Sequence, residues 1–181
     1  MKSFPFIFIL LLTNSICSTA QIYFRKTYGD PYPRYENGFS VCITSDGYIM
    51  SGQSLSVASI NDGDGFFLKT NKSGTVVWQS TIEDSTNNCN INCSLIDDSS
   101  YIFVGDVTNY ANGKVYSYVN IFDTTGQNHV SYFIGDSIFD NGSFCIEKSN
   151  DGNLLLAGWV KDGTGYWQGN LIKINHLGNV F

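Results

Sequence analysis

The sequence predicts an all-β fold, and three observations lead to this prediction. Aromatic residues make up 15% of the 181 residues and charged residues only 14%, whereas disordered chains are highly charged and poor in aromatics. Gly, Asn, Asp and Ser interrupt the chain every few residues, which favours short strands and tight turns over long helices. Two sets of glycines also recur at a regular spacing, which indicates a repeated structural unit.

The overall charge excludes some classes of partner. Lys and Arg total 10 and Asp and Glu total 16, giving a net charge of -6 and a pI near 4.6. A nucleic-acid-binding protein needs a basic surface to neutralise phosphates, and adsorption to an anionic membrane needs one as well. We therefore expect neither partner.

The N-terminus has the features of an export signal. Lys2 precedes the apolar run 4–12, and Ser18-Thr19-Ala20 places small residues at the -3 and -1 positions of a cleavage site. Residues 1–20 are therefore predicted to be a signal peptide cleaved before Gln21, and the mature chain to be secreted or at the cell surface without a membrane span. The alternatives are a retained N-terminal anchor and a lipoprotein modified at Cys17.

Two landmarks recur with nearly the same period. Gly52, Gly105 and Gly158 each close an apolar segment and lie 53 residues apart, and Gly74, Gly126 and Gly178 lie in polar turns 52 residues apart. They divide the predicted domain 21–181 into repeats of about 27–80, 81–132 and 133–181, with the last one truncated.

Each repeat is predicted to contain four short strands. In the first repeat these are about 39–44, 48–53, 65–70 and 75–80, with Asp46-Gly47 as the hairpin turn between the first two and Asp151-Gly152 as its counterpart in the third repeat. The glycine of each turn is expected to supply a positive φ. Four antiparallel strands per unit are typical of a β-propeller blade, and a β-sandwich is the alternative. Since closed propellers have 4–8 blades, about three blades predict an incomplete ring and a fragment of a longer protein or a shortened gene product.

The blade pattern resembles that of a known family. Its motifs are Tyr28-Gly29-Asp30, Gly38-Phe39-Ser40-Val41, Asp46-Gly47-Tyr48-Ile49-Met50-Ser51-Gly52, Asp64-Gly65-Phe66-Phe67-Leu68-Lys69-Thr70 and Gly74-Thr75-Val76-Val77-Trp78. Together they resemble the blade repeats of secreted bacterial β-propeller proteins, many of which carry a type IX secretion sorting domain. The resemblance covers about residues 27–181 and is weakest in the second repeat, which lacks the Asp-Gly turn. It implies an architecture, not an activity.

The cysteines of the mature chain are interpreted mainly as core residues. Cys42, Cys93 and Cys145 fall at similar points of the repeat, and free Cys behaves as a small buried hydrophobe, so we expect three buried thiols. Cys89 and Cys93 are too far apart for a disulfide if they share one strand. A disulfide between them remains open if Cys89 lies on a turn.

Two motifs resemble a catalytic site and a metal site, but each lacks residues that such a site needs. The block around Gly135-Asp136-Ser137 resembles the nucleophile block of GDS-type esterases, but the only downstream histidine, His176, has Lys173 where that family has an aspartate. The segment 61–65 alternates carboxylates as calcium loops do, but it lacks the remaining ligands, so Asp64 is predicted to cap a turn. No catalytic residue, metal site or cofactor is predicted.

The best candidate for ligand binding is aromatic. Trp159, Tyr166 and Trp167 surround a glycine-rich stretch in the loop predicted at 159–165, which corresponds to the variable loops predicted at 54–64 and 106–114. Exposed aromatic rings stack on sugars and peptides. The alternative is that these rings pack between blades.

These observations predict a secreted, non-catalytic β-propeller binding or adhesion module with an extracellular glycan or protein ligand. The alternative is the propeller portion of a larger exported enzyme, either a hydrolase or a quinoprotein-like oxidoreductase. The strand Gly74-Thr75-Val76-Val77-Trp78 also resembles strands of quinoprotein-like propellers.

Overall fold

A computed structural model of the chain describes residues 24–29, 34–57, 59–82, 87–97, 99–135 and 138–181. The predicted signal peptide and its cleavage site lie outside these residues. The described part contains β-strands and turns but no helix, which confirms the all-β prediction. The strands are β1 (Arg34–Ile43), β2 (Gly47–Ser56), β3 (Ser59–Asn71), β4 (Val76–Ile82), β5 (Asn87–Asp97), β6 (Ser100–Asn109), β7 (Lys114–Asp123), β8 (His129–Ile134), β9 (Asp140–Lys148), β10 (Leu154–Lys161) and β11 (Trp167–Ile174).

The strands form three antiparallel sheets in which neighbours in the chain are neighbours in the sheet. The first sheet has the order β1-β2-β3-β4 and the second β5-β6-β7-β8, and the third contains β9, β10 and β11. On the outer side of β11, Val180 forms a single bridge with Ile174. Among the described residues there is no helix that is long and apolar enough to cross a bilayer.

The middle hairpins are longer than the sequence predicted. Most of the predicted loop 54–64 is strand, because β2 and β3 pair as far as Ser56 and Ser59, with a register shift after Leu55. The predicted loop 106–114 shrinks to residues 110–113. Polar residues continue these strands because their backbones still form the hydrogen-bonded ladder, which a hydrophobic pattern does not reveal.

A β-bulge occurs at the same place in the first strand of every sheet. The register shifts lie between Gly38 and Ser40 in β1, between Ile91 and Cys93 in β5, and opposite Ala157 and Gly158 in β9. At each bulge a glycine of the second strand meets a backbone carbonyl oxygen of the first. A Cβ atom would lie 1.7 Å from Asn37 O at Gly52, 1.7 Å from Asn90 O at Gly105 and 1.9 Å from Gly142 O at Gly158. The recurrent glycines are therefore required by close backbone approach.

The turn glycines serve a different purpose. Gly74, Gly126 and Gly178 have φ values of 72°, 72° and 74°, which side chains other than glycine rarely adopt. Gly152 has the predicted positive φ, at 82°. The same prediction was wrong for Gly47, whose φ is not in the positive region. Glycine is needed there because a Cβ would lie 1.9 Å from the carbonyl oxygen of Thr70.

Two apolar cores hold the sheets face to face. The core between the first and second sheets contains the buried residues Ile49, Phe67, Cys89, Ile91, Tyr101, Phe103, Val107, Tyr118 and Phe122. The core between the second and third sheets contains Ile102, Val104, Val119, Ile134, Ile146, Leu154, Leu156 and Ile174. The second sheet is thus covered on both faces, and successive residues of β6 enter alternate cores, as the period of a strand requires.

The bulges correct the prediction for the cysteines. Cys145 pairs with Ala157 and Cys93 with Val104, whereas the residue of β1 at this place is Ser40, which pairs with Ser51. Cys42 lies two residues further along, and it is half-buried. Cys145 is exposed because it lies on the face of the third sheet that is turned away from the second, so the prediction of a buried thiol was wrong there. The Cys93 side chain is outside the described part.

Cys89 is buried within β5. It does not lie on a turn, so the condition under which it could pair with Cys93 is not met.

Candidate functional site

The structure brings the two predicted tryptophans together. Trp159 lies in β10 opposite Gly169, and Trp167 begins β11 opposite Lys161. The two indoles are therefore diagonal neighbours across the hairpin, and their ring centroids are 4.2 Å apart with an angle of 45° between the planes. The prediction that Trp159 lies in a loop was wrong, since β10 extends through it to Lys161. The tryptophan pair stands on paired strands, which hold it more firmly than a loop does.

A tight hairpin turn at residues 162–166 carries Tyr166. The Asp162 Oδ1 atom accepts hydrogen bonds from the backbone N–H groups of Thr164 (2.9 Å) and Tyr166 (3.1 Å). Gly165, with a φ of 87°, donates its N–H to the Asp162 carbonyl oxygen at 2.9 Å. Gln168 donates to Asp162 Oδ2 at 2.7 Å. The glycine-rich stretch is thus an ordered turn built on one aspartate.

The charge of this turn is stabilised by its own hydrogen bonds. The Thr164 hydroxyl donates to the Asp162 carboxylate. This hydrogen bond, aided by the backbone N–H groups, lowers the pKa of Asp162 below its ordinary value. The Asp162 carboxylate is therefore ionised at neutral pH.

The aromatic patch, defined as Trp159, Tyr166 and Trp167, is open to solvent. Tyr166 is 72% exposed and Trp167 is 65% exposed, whereas Trp159 is half-buried. A Cβ placed on Gly169, beside Trp167, would meet no heavy atom within 4 Å. The two indoles are tilted by 45° to each other and offer apolar faces next to open space. Exposed indole faces suit stacking on a ring.

A cluster of polar groups from Asn92, Asp106 and Ser143 lies near Trp159. A Cβ on Gly142 would lie 2.6 Å from Trp159 Nε1 and 3.0 Å from the Cβ atom of Asp106, so the indole reaches towards the second sheet. Asn92 donates from Nδ2 to Asp106 Oδ1 and to the Ser143 carbonyl oxygen, at 3.1 Å each. Burial raises the pKa of Asp106, and the hydrogen bonds from Asn92 and Asn90 oppose this shift.

The sequence interpretation missed this cluster. Asn92 is the extra residue of the bulge in β5, and Asp106 directly follows the recurrent Gly105. Their positions next to the recurrent glycine were the available signal, because the same bulge brings the first two strands of every sheet together.

The residues of the two incomplete catalytic and metal motifs have other partners or are not described. Asp136 and Ser137 lie outside the described part of the chain. His176 contacts the Gly152 carbonyl oxygen through Nε2 at 2.9 Å, and its Nδ1 lies 3.4 Å from Asp97 Oδ2. Asp64 lies within β3, opposite Ser54, and forms an ion pair with Arg34 at 2.6 Å, so the prediction that it caps a turn was wrong. Over the described ranges, no group of three or more His, Cys, Asp or Glu residues could hold a metal ion.

No model of a known protein family matches this chain, and no curated protein does.

Proposed function

We propose that this chain is a secreted, non-catalytic binding module that binds an extracellular glycan through Trp159, Tyr166 and Trp167. The observation that carries the proposal is the tryptophan pair, with ring centroids 4.2 Å apart on paired strands. Fixed aromatic rings lose little conformational entropy on binding. Aromatic faces stack on the C–H groups of a sugar ring.

We further propose that the three sheets are blades of a β-propeller-like array. Three features support this architecture. Each sheet is a simple up-and-down meander, and consecutive sheets pack face to face. The first strands β1, β5 and β9 approach one another, with Cα atoms within 8 Å between consecutive sheets. The same bulge and the same close-contact glycine recur in each sheet. In such an array the blades radiate from an axis lined by their first strands.

The proposed location outside the cell has its support in the N-terminal sequence. Lys2, the apolar run 4–12 and the small residues Ser18 and Ala20 have the order of a cleavable signal. An extracellular module that carries exposed aromatic rings would meet the glycans of cell surfaces and of secreted polymers.

A glycan array probed with the full chain tests the ligand class. We expect one or more glycan hits, whose affinities are then measured by calorimetry. Trp167→Ala should weaken each hit by about tenfold or more, because truncating a tryptophan that anchors a binding site costs about 2 kcal/mol or more. The matched control is Phe133→Ala, which removes a comparably exposed ring from β8.

Two results would contradict the proposal. If Trp167→Ala binds every glycan as tightly as the wild type, the patch is not the binding site. If a peptide array gives the only hits and these depend on Trp167, the site is right and the ligand class is wrong.

A further inference from the structure

A cleft of about 440 Å³ opens between the first and second sheets. The turn from β1 to β2 and the turn from β7 to β8 both contribute to its walls, together with the ends of β5 and β6. The lining residues are Ile43, Thr44, Ser45, Asp46, Ile96, Tyr101 and Thr124. A cleft of this size, with apolar and polar walls, is large enough for a small organic molecule.

Two polar groups of this cleft are open to a further hydrogen bond. Thr44 and Lys69 donate to Asp46 Oδ1 at 2.7 Å and 2.6 Å, and no side chain in the described part of the chain donates to Oδ2. The Tyr101 hydroxyl has no hydrogen-bond partner among the described residues either, although only 7% of Tyr101 is exposed. Since polar groups at buried positions normally have partners, a ligand in the cleft would satisfy both groups.

The charge of the cleft favours a cation. The hydrogen bonds from Lys69 and Thr44 lower the pKa of Asp46 to about 2, so this carboxylate is ionised at neutral pH. Burial, followed by the negative charge of Asp46, raises the pKa of Tyr101, so the hydroxyl keeps its proton. Of the residues that line the cleft, only Asp46 carries a formal charge.

The corresponding space between the second and third sheets holds basic side chains of the chain itself. Lys148 corresponds to Ile96, because each pairs with the residue four positions before a recurrent glycine. His176 corresponds to Thr124, because each is the second residue of the turn after the third strand of its sheet. Lys148 forms an ion pair with Asp97 Oδ1, and His176 Nδ1 lies 3.4 Å from Asp97 Oδ2. Both oxygens of this carboxylate thus face nitrogen atoms of the following sheet.

The first interface lacks these two basic side chains. Ile96 and Thr124 stand at their positions, and neither carries a charge. The position of Asp97 is taken by Thr44, whose hydroxyl donates to Asp46 two residues further along the turn. The first interface therefore presents a carboxylate in the same turn, but the space that Lys148 and His176 occupy at the second interface is open.

We propose that this cleft binds a small molecule that carries an ammonium group on an apolar part. The ammonium group donates hydrogen bonds to Asp46 Oδ2 and to the Tyr101 hydroxyl oxygen. The apolar part packs against Ile43 and Ile96. The cleft shares no residue with the aromatic patch, so this site is separate from the proposed glycan site.

An NMR titration of the full chain with benzylammonium tests the proposal. We expect saturable binding with a Kd of about 1 mM or lower, with shifts of the signals of Tyr101 and Thr124. Benzyl alcohol has nearly the same shape but no charge. It should bind about tenfold more weakly or worse, because hydrogen bonds between ionised groups are stronger than neutral ones.

Removing the negative charge tests the role of Asp46. Asp46→Asn should weaken benzylammonium binding by about tenfold or more. Asp151→Asn is the matched control, because Asp151 pairs with Lys173 in the third sheet as Asp46 pairs with Lys69 in the first. It removes the same charge away from the cleft, and it should bind benzylammonium as the wild type does.

A second pair of variants tests the location without breaking an ion pair. Thr124→His gives the second sheet the side chain that the third sheet has at this position. It should weaken binding by about tenfold or more, because the imidazole takes the space of the ligand. Thr124 is exposed, so the variant should keep the circular dichroism spectrum and the thermal unfolding curve of the wild type. Gln127→His adds the same ring at an exposed position of this turn outside the cleft, and it should bind as the wild type does.

Three results would overturn the proposal: a wild-type chain that shows no saturable binding of benzylammonium, benzyl alcohol that binds as tightly as benzylammonium, or a Kd that Asp46→Asn and Thr124→His leave unchanged. The aromatic patch is intact in all four variants. Failure of amine binding therefore leaves the glycan proposal standing, and failure of glycan binding leaves this one standing.

Discussion

Glycines in this protein meet two separate physical requirements, and a substitution distinguishes them. At Gly158 the backbone of β9 comes so close that a Cβ would lie 1.9 Å from a carbonyl oxygen, although φ is not in the positive region. At Gly152 there is open space, but φ is 82°. At Gly169 neither constraint applies. Only the requirement at Gly158 comes from contact between two strands of a sheet.

Alanine at these three positions should give three different losses in the free energy of unfolding. Gly158→Ala should cost about 3 kcal/mol or more, because the bulge must open to relieve the clash. Gly152→Ala should cost about 1–2 kcal/mol for an unfavourable φ alone. Gly169→Ala should change stability by less than about 0.5 kcal/mol. Urea unfolding measures all three, and a Gly158→Ala penalty no larger than that of Gly152→Ala would contradict the close-contact explanation.

At the scale of elements, the hairpin between β1 and β2 is held by a buried lysine. The Lys69 ammonium donates to Asp46 Oδ1 at 2.6 Å, to the Thr44 hydroxyl at 2.8 Å and to the Thr70 carbonyl oxygen at 3.1 Å. The hydrogen bond from Lys69, followed by that from Thr44, lowers the pKa of Asp46 to about 2. Lysine so deeply buried needs these partners, because an unpaired buried charge is costly.

Asp46→Asn should therefore destabilise the protein at neutral pH by about 1 kcal/mol, a modest loss because the Asp46 carboxylate is exposed to solvent. A carboxylate with a lowered pKa contributes stability above its unfolded-state pKa and loses it as the pH falls through the folded-state value. The difference between the variant and the wild type should thus shrink between about pH 4 and pH 2. Urea unfolding at several pH values measures it.

Asp151→Asn is the control for this prediction, because Lys173 makes the same ion pair in a more exposed setting. It should cost less than Asp46→Asn. A penalty for Asp46→Asn that persists unchanged down to pH 2, or one equal to that of the control, would show that burial of Lys69 does not set the effect.

The sequence predicted the elements better than it predicted their boundaries and register. The glycine spacings, the apolar segments and the Asp-Gly turn located the strands and the turns, because these signals depend on local backbone geometry. The bulge was not predictable from the pattern, since it depends on how β1 and β2 pair. This is why Cys42 and Cys145 were placed at equivalent positions when they are not. The sequence identified Trp159 and Trp167 as candidate binding residues. Their contact could not be predicted, because it depends on the register of the hairpin around the turn at 162–166.

At the scale of the whole molecule, the proposed export has consequences at one peptide bond. We expect the secreted chain to begin at Gln21, because a signal peptidase requires small residues at the -3 and -1 positions, here Ser18 and Ala20. Ala20→Arg should abolish cleavage at this bond. Thr19→Arg, which introduces the same side chain at the intervening position, should be processed as the wild type is.

Mass spectrometry of the secreted product measures the new N-terminus. An intact Met1 or a lipid on Cys17 would show that the chain remains anchored. The wild type and both variants can be compared in one expression host, so that differences in yield do not enter the result.

The meander order of the strands has a consequence for how the chain folds. Every strand pairs with its neighbour in the chain, so forming a sheet closes only short loops, at a low cost in chain entropy. The apolar side chains of Phe67 and Phe103 are covered only when one complete sheet meets the next. We therefore expect hairpins to form early and the docking of sheet on sheet to limit the folding rate. A chain that is synthesised with its N-terminus first can then form one sheet at a time. The apolar face of each sheet stays uncovered until the next sheet has formed.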